Sequence, residues 1–194
     1  VERWLIERTT IENTLHLTHF PSHPLGWTAG KWREWYPDVL AGEATVVAQV
    51  EIDERGGKKL WQEGWWLQHQ RIAAALSKQK RRSAVVVSGD LHLLGAGAII
   101  SSGSLDITAN PIYSILSGPI GVGDFGWLSW ARGVAAEPAN QIVIRELMKP
   151  EELNGFTIID IDRSRYVISL YACPTKSTDP ENISATSSCK FAIG

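Results

Sequence analysis

The sequence predicts an α/β fold on three observations. A helical apolar pattern covers residues 61–80, a continuous β-branched run follows it at 84–88, and two strand-like segments at 156–161 and 165–171 flank a short polar turn. A helix feeding directly into a strand buried on both faces is the α/β signature. The chain has 194 residues, enough for one domain with a sizeable core. Its 44% hydrophobic and 21% charged residues are ordinary for a soluble globular protein.

Taken in order, residues 1–9 read as the end of a helix carrying Trp4, Leu5 and Ile6. Residues 15–20 alternate as a strand, which Pro21-Ser-His-Pro24 stops. A long aromatic loop occupies 21–42, with a short helix near 38–40, and 43–58 form a surface insertion or hairpin punctuated by Gly56-Gly57. The helix at 61–80 places Trp61, Trp65, Gln68, Ile72, Ala75 and Leu76 at three- and four-residue steps; Gly64 weakens it. Further strands are expected at 95–100, 112–116 and 141–147, and 162–164 turn the closing antiparallel hairpin. Residues 1–172 therefore form the folded portion, and 173–194, rich in Ser, Thr and Pro from 174 on, a polar tail.

A net charge of −2 gives no electrostatic reason to expect a nucleic-acid partner. The short basic run Lys78, Lys80, Arg81 and Arg82 suits a helix C-terminus better than a phosphate stripe. No apolar run approaches the roughly 20 residues of a membrane span, so no transmembrane segment is expected. The chain opens at Val1 without a signal peptide, and both ends read as cuts in a longer protein, so the compartment stays unassigned. Cys173 and Cys189 lack zinc-site spacing; they are either a bridge or two thiols. The nine tryptophans suit a glycan-stacking surface or, more simply, core and interface packing.

The segment that carries chemistry is Val85-Val-Val-Ser-Gly-Asp-Leu-His92. A buried strand ends, a glycine permits a tight turn, and a carboxylate and an imidazole follow two residues apart. Ligands gather outside the carboxyl ends of strands in α/β sheets, and this donor pair suits first-row metals. The simpler alternative is a turn with a hydrogen-bonded histidine.

Gly89-Asp90-Leu91-His92 resembles the last metal motif of the calcineurin-like metallophosphatases, in the form found in PhoD-like alkaline phosphatases. Trp32-Arg-Glu-Trp-Tyr-Pro37 is similar to that family's Trp-x-x-Tyr-Pro loop, and Asn154-Gly-Phe-Thr-Ile-Ile-Asp-Ile161 to its closing hairpin. The resemblance covers residues 1–172. It implies the C-terminal part of a layered β-sandwich flanked by helices and ending in that hairpin. It also implies hydrolysis of phosphate mono- or diesters by two metals, of the Fe, Ca, Mn or Zn kind, about 3.5–4 Å apart. His92 would ligate one metal, and Asp90 would ligate the second or orient a ligand. Lys31 and Arg33 would hold phosphate oxygens, Arg33 as the better bidentate donor, and Tyr36 would wall the pocket.

The family's aspartate-rich motifs and its Asn-His pair are absent from this sequence. The resemblance therefore implies a piece of an enzyme, inactive alone, whose missing N-terminal portion supplies the other ligands. Among the remaining histidines, His16 and His19 fall on opposite faces of a strand, which argues against one shared ion and makes them mainly structural; the alternative is that His19 and His23, near the strand's end, approach the pocket. Gly121-Val-Gly-Asp-Phe-Gly126, with Glu146 about 20 residues on, also matches a dinucleotide fingerprint. Pro119 before it and the short, Gly133-containing segment after it make a loop beside the pocket the better reading. A Trp-rich binding module and a nucleotide-binding fragment are thus the competing functions.

Overall fold

The computed structural model describes residues 17–19, 28–29, 63–78, 83–89, 92–121, 136–137, 142–162, 165–173 and 188–194. Its elements begin with β1 (Leu17–His19), β2 (Thr28–Ala29), α1 (Glu63–Leu76) and β3 (Val85–Ser88). Next come β4 (Leu94–Ser102), β5 (Leu105–Asp106), β6 (Ile112–Ser117) and β7 (Ala136–Glu137). The chain continues with β8 (Ile142–Glu151), β9 (Asn154–Ile161), β10 (Tyr166–Cys173) and β11 (Cys189–Ile193).

The β-branched run of β3 organises the molecule, because successive side chains of a strand point to opposite faces. Val85 packs with Leu94, Ile115, Tyr166, Ile168 and Leu170, whereas Val86 packs with Ile72, Leu76, Ile99 and Leu116. The sheet that holds β3 is therefore covered twice: α1 lies on one face, and the sheet β11-β10-β9 on the other. A strand buried on both sides has no polar face to present, which is why its sequence is uninterrupted by charge.

The expected helix-flanked α/β sandwich is corrected here. Among the described residues the fold is mostly β, with one short helix, a curled mixed sheet and a three-stranded antiparallel sheet. The order β1-β3-β6-β4-β5 is parallel through β1, β3 and β6 and antiparallel from β6 to β5, with β8 also on β4. The continuous apolar run signalled that both faces were covered, and it carries no information on whether a helix or a sheet covers them. The hairpin β9–β10 pairs Tyr166 with Ile161, but the chain does not end on it. β11, inside the stretch expected to be a tail, pairs with β10 through residues 189–193 and buries Ile193.

The curl of the large sheet follows from β4. Its sequence Leu94-Gly-Ala-Gly-Ala98 offers small side chains, and its ladder with β8 is broken by three register shifts. Bulges of this kind bend a strand and increase its twist. Pro150 sits in that irregular part of β8, where an N–H is not required.

At the other end, Asn110 ties the helix to the sheet. Its side-chain amide donates to the Ser77 carbonyl at 3.0 Å, and its side-chain oxygen accepts from the Ser83 hydroxyl at 3.0 Å. One side chain thereby occupies a carbonyl just past the helix end and steadies the approach to β3.

His69 of α1 is buried against β4, with Nδ1 3.3 Å from the Ser102 hydroxyl. Burial disfavours its charged form and lowers its pKa from 6.5 to about 3, so the folded ring is neutral. The unfolded ring binds a proton as pH falls through 6.5, while the folded ring does so only near 3. Stability from this group is thus complete above pH 6.5 and lost towards pH 3, at up to about 1.4 kcal/mol per pH unit. Urea unfolding at a series of pH values should show this acid limb, and His69→Gln should flatten it.

Candidate functional site

Parallel pairing brings the chain's chemistry to one edge. Ser88 at the end of β3 lies level with Leu116 of β6, and His19 at the end of β1 lies level with Val87. All three strands therefore deliver their carboxyl ends to the same side of the sheet. There β4 begins, with Leu94 opposite Ser117, and β8 ends, with Glu151 opposite Leu94. The backbone N–H of Gly155, at the start of β9, donates to the Pro119 carbonyl at 2.8 Å.

Two serines lock the strand ends beneath the site. The buried Ser88 hydroxyl donates to the Ile115 carbonyl at 3.3 Å, and the Ser117 hydroxyl donates to the Ser88 carbonyl at 3.1 Å. These bonds tie the last residues of β3 and β6 together where the two strands end. A hydroxyl satisfied by the neighbouring strand's backbone lets a polar residue sit in a buried position at little cost.

His92 is half-buried at this edge with φ 56°, the left-handed region. Among the described residues it alone occupies that region without being a glycine. The conformation costs a side-chain-bearing residue on the order of 1 kcal/mol and persists where surrounding packing imposes it. Leu93 and Leu94, the next two residues, are buried in opposite cores and supply that packing.

Of the sequence-predicted residues, His92 is at the edge described. Asp90 follows Gly89 there in sequence but lies outside the described residues, as do Lys31, Arg33, Tyr36, His16 and His23. His19 reaches the edge through the register of β1 with β3, a relation its spacing in sequence does not reveal. Among the described residues no group of three or more His, Cys, Asp or Glu is placed to hold a metal ion. By residue type, an imidazole and a carboxylate two residues apart in sequence suit first-row ions. The donors for a second ion are not among the described residues.

The chain matches no family model, no curated protein and no solved structure. The reading of the site therefore stands on its own residues.

The dinucleotide alternative rests on Gly121-Val-Gly-Asp-Phe-Gly126 and on Glu146. Glu146, which the fingerprint requires at a strand's carboxyl end, lies within β8, paired with Gly97, and β8 runs on to Glu151. β6 and β8, the strands on either side of the fingerprint, are both antiparallel to β4, so they run parallel but are separated by that strand rather than adjacent. Gly121 is exposed, and the loop beyond it, 122–126, lies outside the described residues.

Cys173 and Cys189 are free thiols. Cys189 of β11 lies opposite Leu170 of β10, while Cys173 of β10 lies opposite Asn154 of β9, so the two are offset along β10. The Cys189 sulfur faces the Leu147 carbonyl at 3.8 Å, and burial pushes its pKa up. Both features describe a packed thiol rather than a nucleophile. Among the described residues no helix is long and apolar enough to cross a membrane.

Proposed function

We propose that this chain is part of a metal-dependent phosphoesterase, similar in its Gly89-Asp90-Leu91-His92 segment to the PhoD-like alkaline phosphatases, acting on phosphate mono- or diesters. The observation that supports the reading is that Gly89 and His92, the described residues of that segment, lie at the edge where β1, β3 and β6 all end, with His19 of β1 level with β3. Carboxyl ends of adjacent parallel strands are where α/β-type sheets build ligand sites, and the argument needs the strands rather than flanking helices.

In this reading the His92 imidazole would hold one metal, and Asp90, two residues before it in sequence, would ligate the second or orient a ligand. His19 is the third donor. The resembled family's aspartate-rich motifs and Asn-His pair, which would supply the other ligands, are absent from this sequence. The bound metal supplies Lewis-acid polarisation of phosphoryl oxygens and a nucleophile at neutral pH. Arg33 and Lys31 neutralise the phosphate, Arg33 through two parallel donors, and Tyr36 forms a wall. β6 ends level with β3, so Gly118 follows at the same edge.

The test is turnover of p-nitrophenyl phosphate by the complete protein. Chelator should abolish hydrolysis and added Mn²⁺, Zn²⁺ or iron should restore it. Metal-independent binding of NAD or of an oligosaccharide, without hydrolysis under any metal, would replace this reading by a nucleotide or glycan module.

A further inference from the structure

We infer that Leu94, seated in a notch walled by Gly118 and Gly155, is a positioning residue for His92, and that the notch is built to hold it. The inference deepens the reading of His92 as a metal ligand and rests on it.

Leu94 is fully buried on the side of the sheet covered by β9, β10 and β11. One wall of its seat is Gly118, whose φ of +77° suits glycine and where an added Cβ would stand 2.7 Å from Leu94 Cγ. The other wall is Gly155, where an added Cβ would overlap Leu94 Cδ1. The two walls come from different strands, and the hydrogen bond from Gly155 N–H to the Pro119 carbonyl joins them.

This seat bears on His92 because the intervening chain has no slack. Leu93 is buried against the helix-side core and Leu94 against the opposite one. With consecutive side chains pinned on both faces, the backbone entering β4 cannot rotate, and His92 is held at φ 56°. A left-handed histidine needs surroundings that over-determine its conformation. Two glycines that admit one leucine, two residues beyond His92, are those surroundings.

A double-mutant cycle on the complete protein tests the device, with Mn²⁺ affinity and urea midpoint read in parallel. If Gly118 acts through Leu94, Gly118→Ala should weaken Mn²⁺ binding at least about tenfold, as loss of a ligand's supporting contact does. The same substitution in a Leu94→Ala background should change affinity by less than about twofold, since the contact is already gone. Equal effects in both backgrounds, or a lowered urea midpoint with unchanged Mn²⁺ affinity, would overturn the inference.

The imidazole resonances of His92 give a second readout that needs no metal. They should shift in Gly118→Ala and stay silent to it when Leu94 is alanine. Wild-type protein that takes up no Mn²⁺ would remove the ligand reading, while these resonances still judge the notch. Should Gly118→Ala fail to fold, Leu94→Val is the substitute: it should move the His92 resonances, and unmoved resonances would overturn the notch.

Discussion

His92→Ala should strip the complete protein of bound metal and of phosphatase activity together, with turnover falling at least about a hundredfold. An imidazole is a direct donor in this account, and even supporting contacts around metal ligands cost ten- to a hundredfold when removed, by general experience of roughly that size. The backbone complicates the alanine variant, because φ 56° at His92 suits alanine poorly. His92→Asn separates the two effects. Asparagine tolerates the left-handed region but offers no ring nitrogen, so it should fold as the wild type does and still lose the metal. Metal content by elemental analysis, set beside turnover, checks both variants. An alanine variant with full metal and normal turnover would show that His92 is a turn residue.

Gly155→Ala should produce the largest loss of stability. An added Cβ there would run into the Tyr171 carbonyl oxygen and Leu94 Cδ1. The carbonyl belongs to the β9–β10 ladder, where Tyr171 pairs with Phe156 and Ala172 with Gly155. Backbone fixed by a ladder cannot retreat as the tip of a flexible side chain can. The expected cost is about 3 kcal/mol or more, the upper end for overpacking, corresponding to a fall in Tm of roughly 6–12 °C for a chain of this size. Gly121→Ala is the control, since an added Cβ there meets nothing. Thermal unfolding of both variants checks the contrast.

Several elements were legible in the sequence because local patterns determine them. The helix appeared as Glu63–Leu76 within the expected 61–80, and the β-branched run became β3. The turn of the hairpin was readable from Asp162, whose carboxylate accepts from the Arg165 backbone N–H at 2.8 Å. What failed was the covering of the second face. Burial of Val85 requires a partner layer, but Tyr166, Ile168, Leu170 and Ile193, which provide it, lie about 80 residues or more further on. A period-two pattern in those segments predicts strands without saying which sheet they cover. Strand β11, Cys189–Ile193, falls inside the stretch read as a polar tail, because the Ser/Thr-rich residues before it outweighed Phe191 and Ile193.

The candidate site shows the same division. Gly89-Asp90-Leu91-His92 was legible because a strand followed by glycine, carboxylate and imidazole is a local pattern. His19 was weighed as mainly structural, since only the register with β3 brings it to the same edge. The glycines around Leu94 carry no local signal for their role. Gly118 follows a strand as many turn glycines do, and Gly155 opens one; what they share is a side chain more than 20 residues from either.

The most direct test of the central claim is vanadate binding by the complete protein with and without chelator. Vanadate presents oxygens that a metal centre at the His92 edge would coordinate. The account predicts binding that disappears with chelator, returns with added Mn²⁺ or Zn²⁺, and is lost in His92→Asn. Vanadate binding that is indifferent to chelator and to the His92 substitution, or none under any metal, would contradict it.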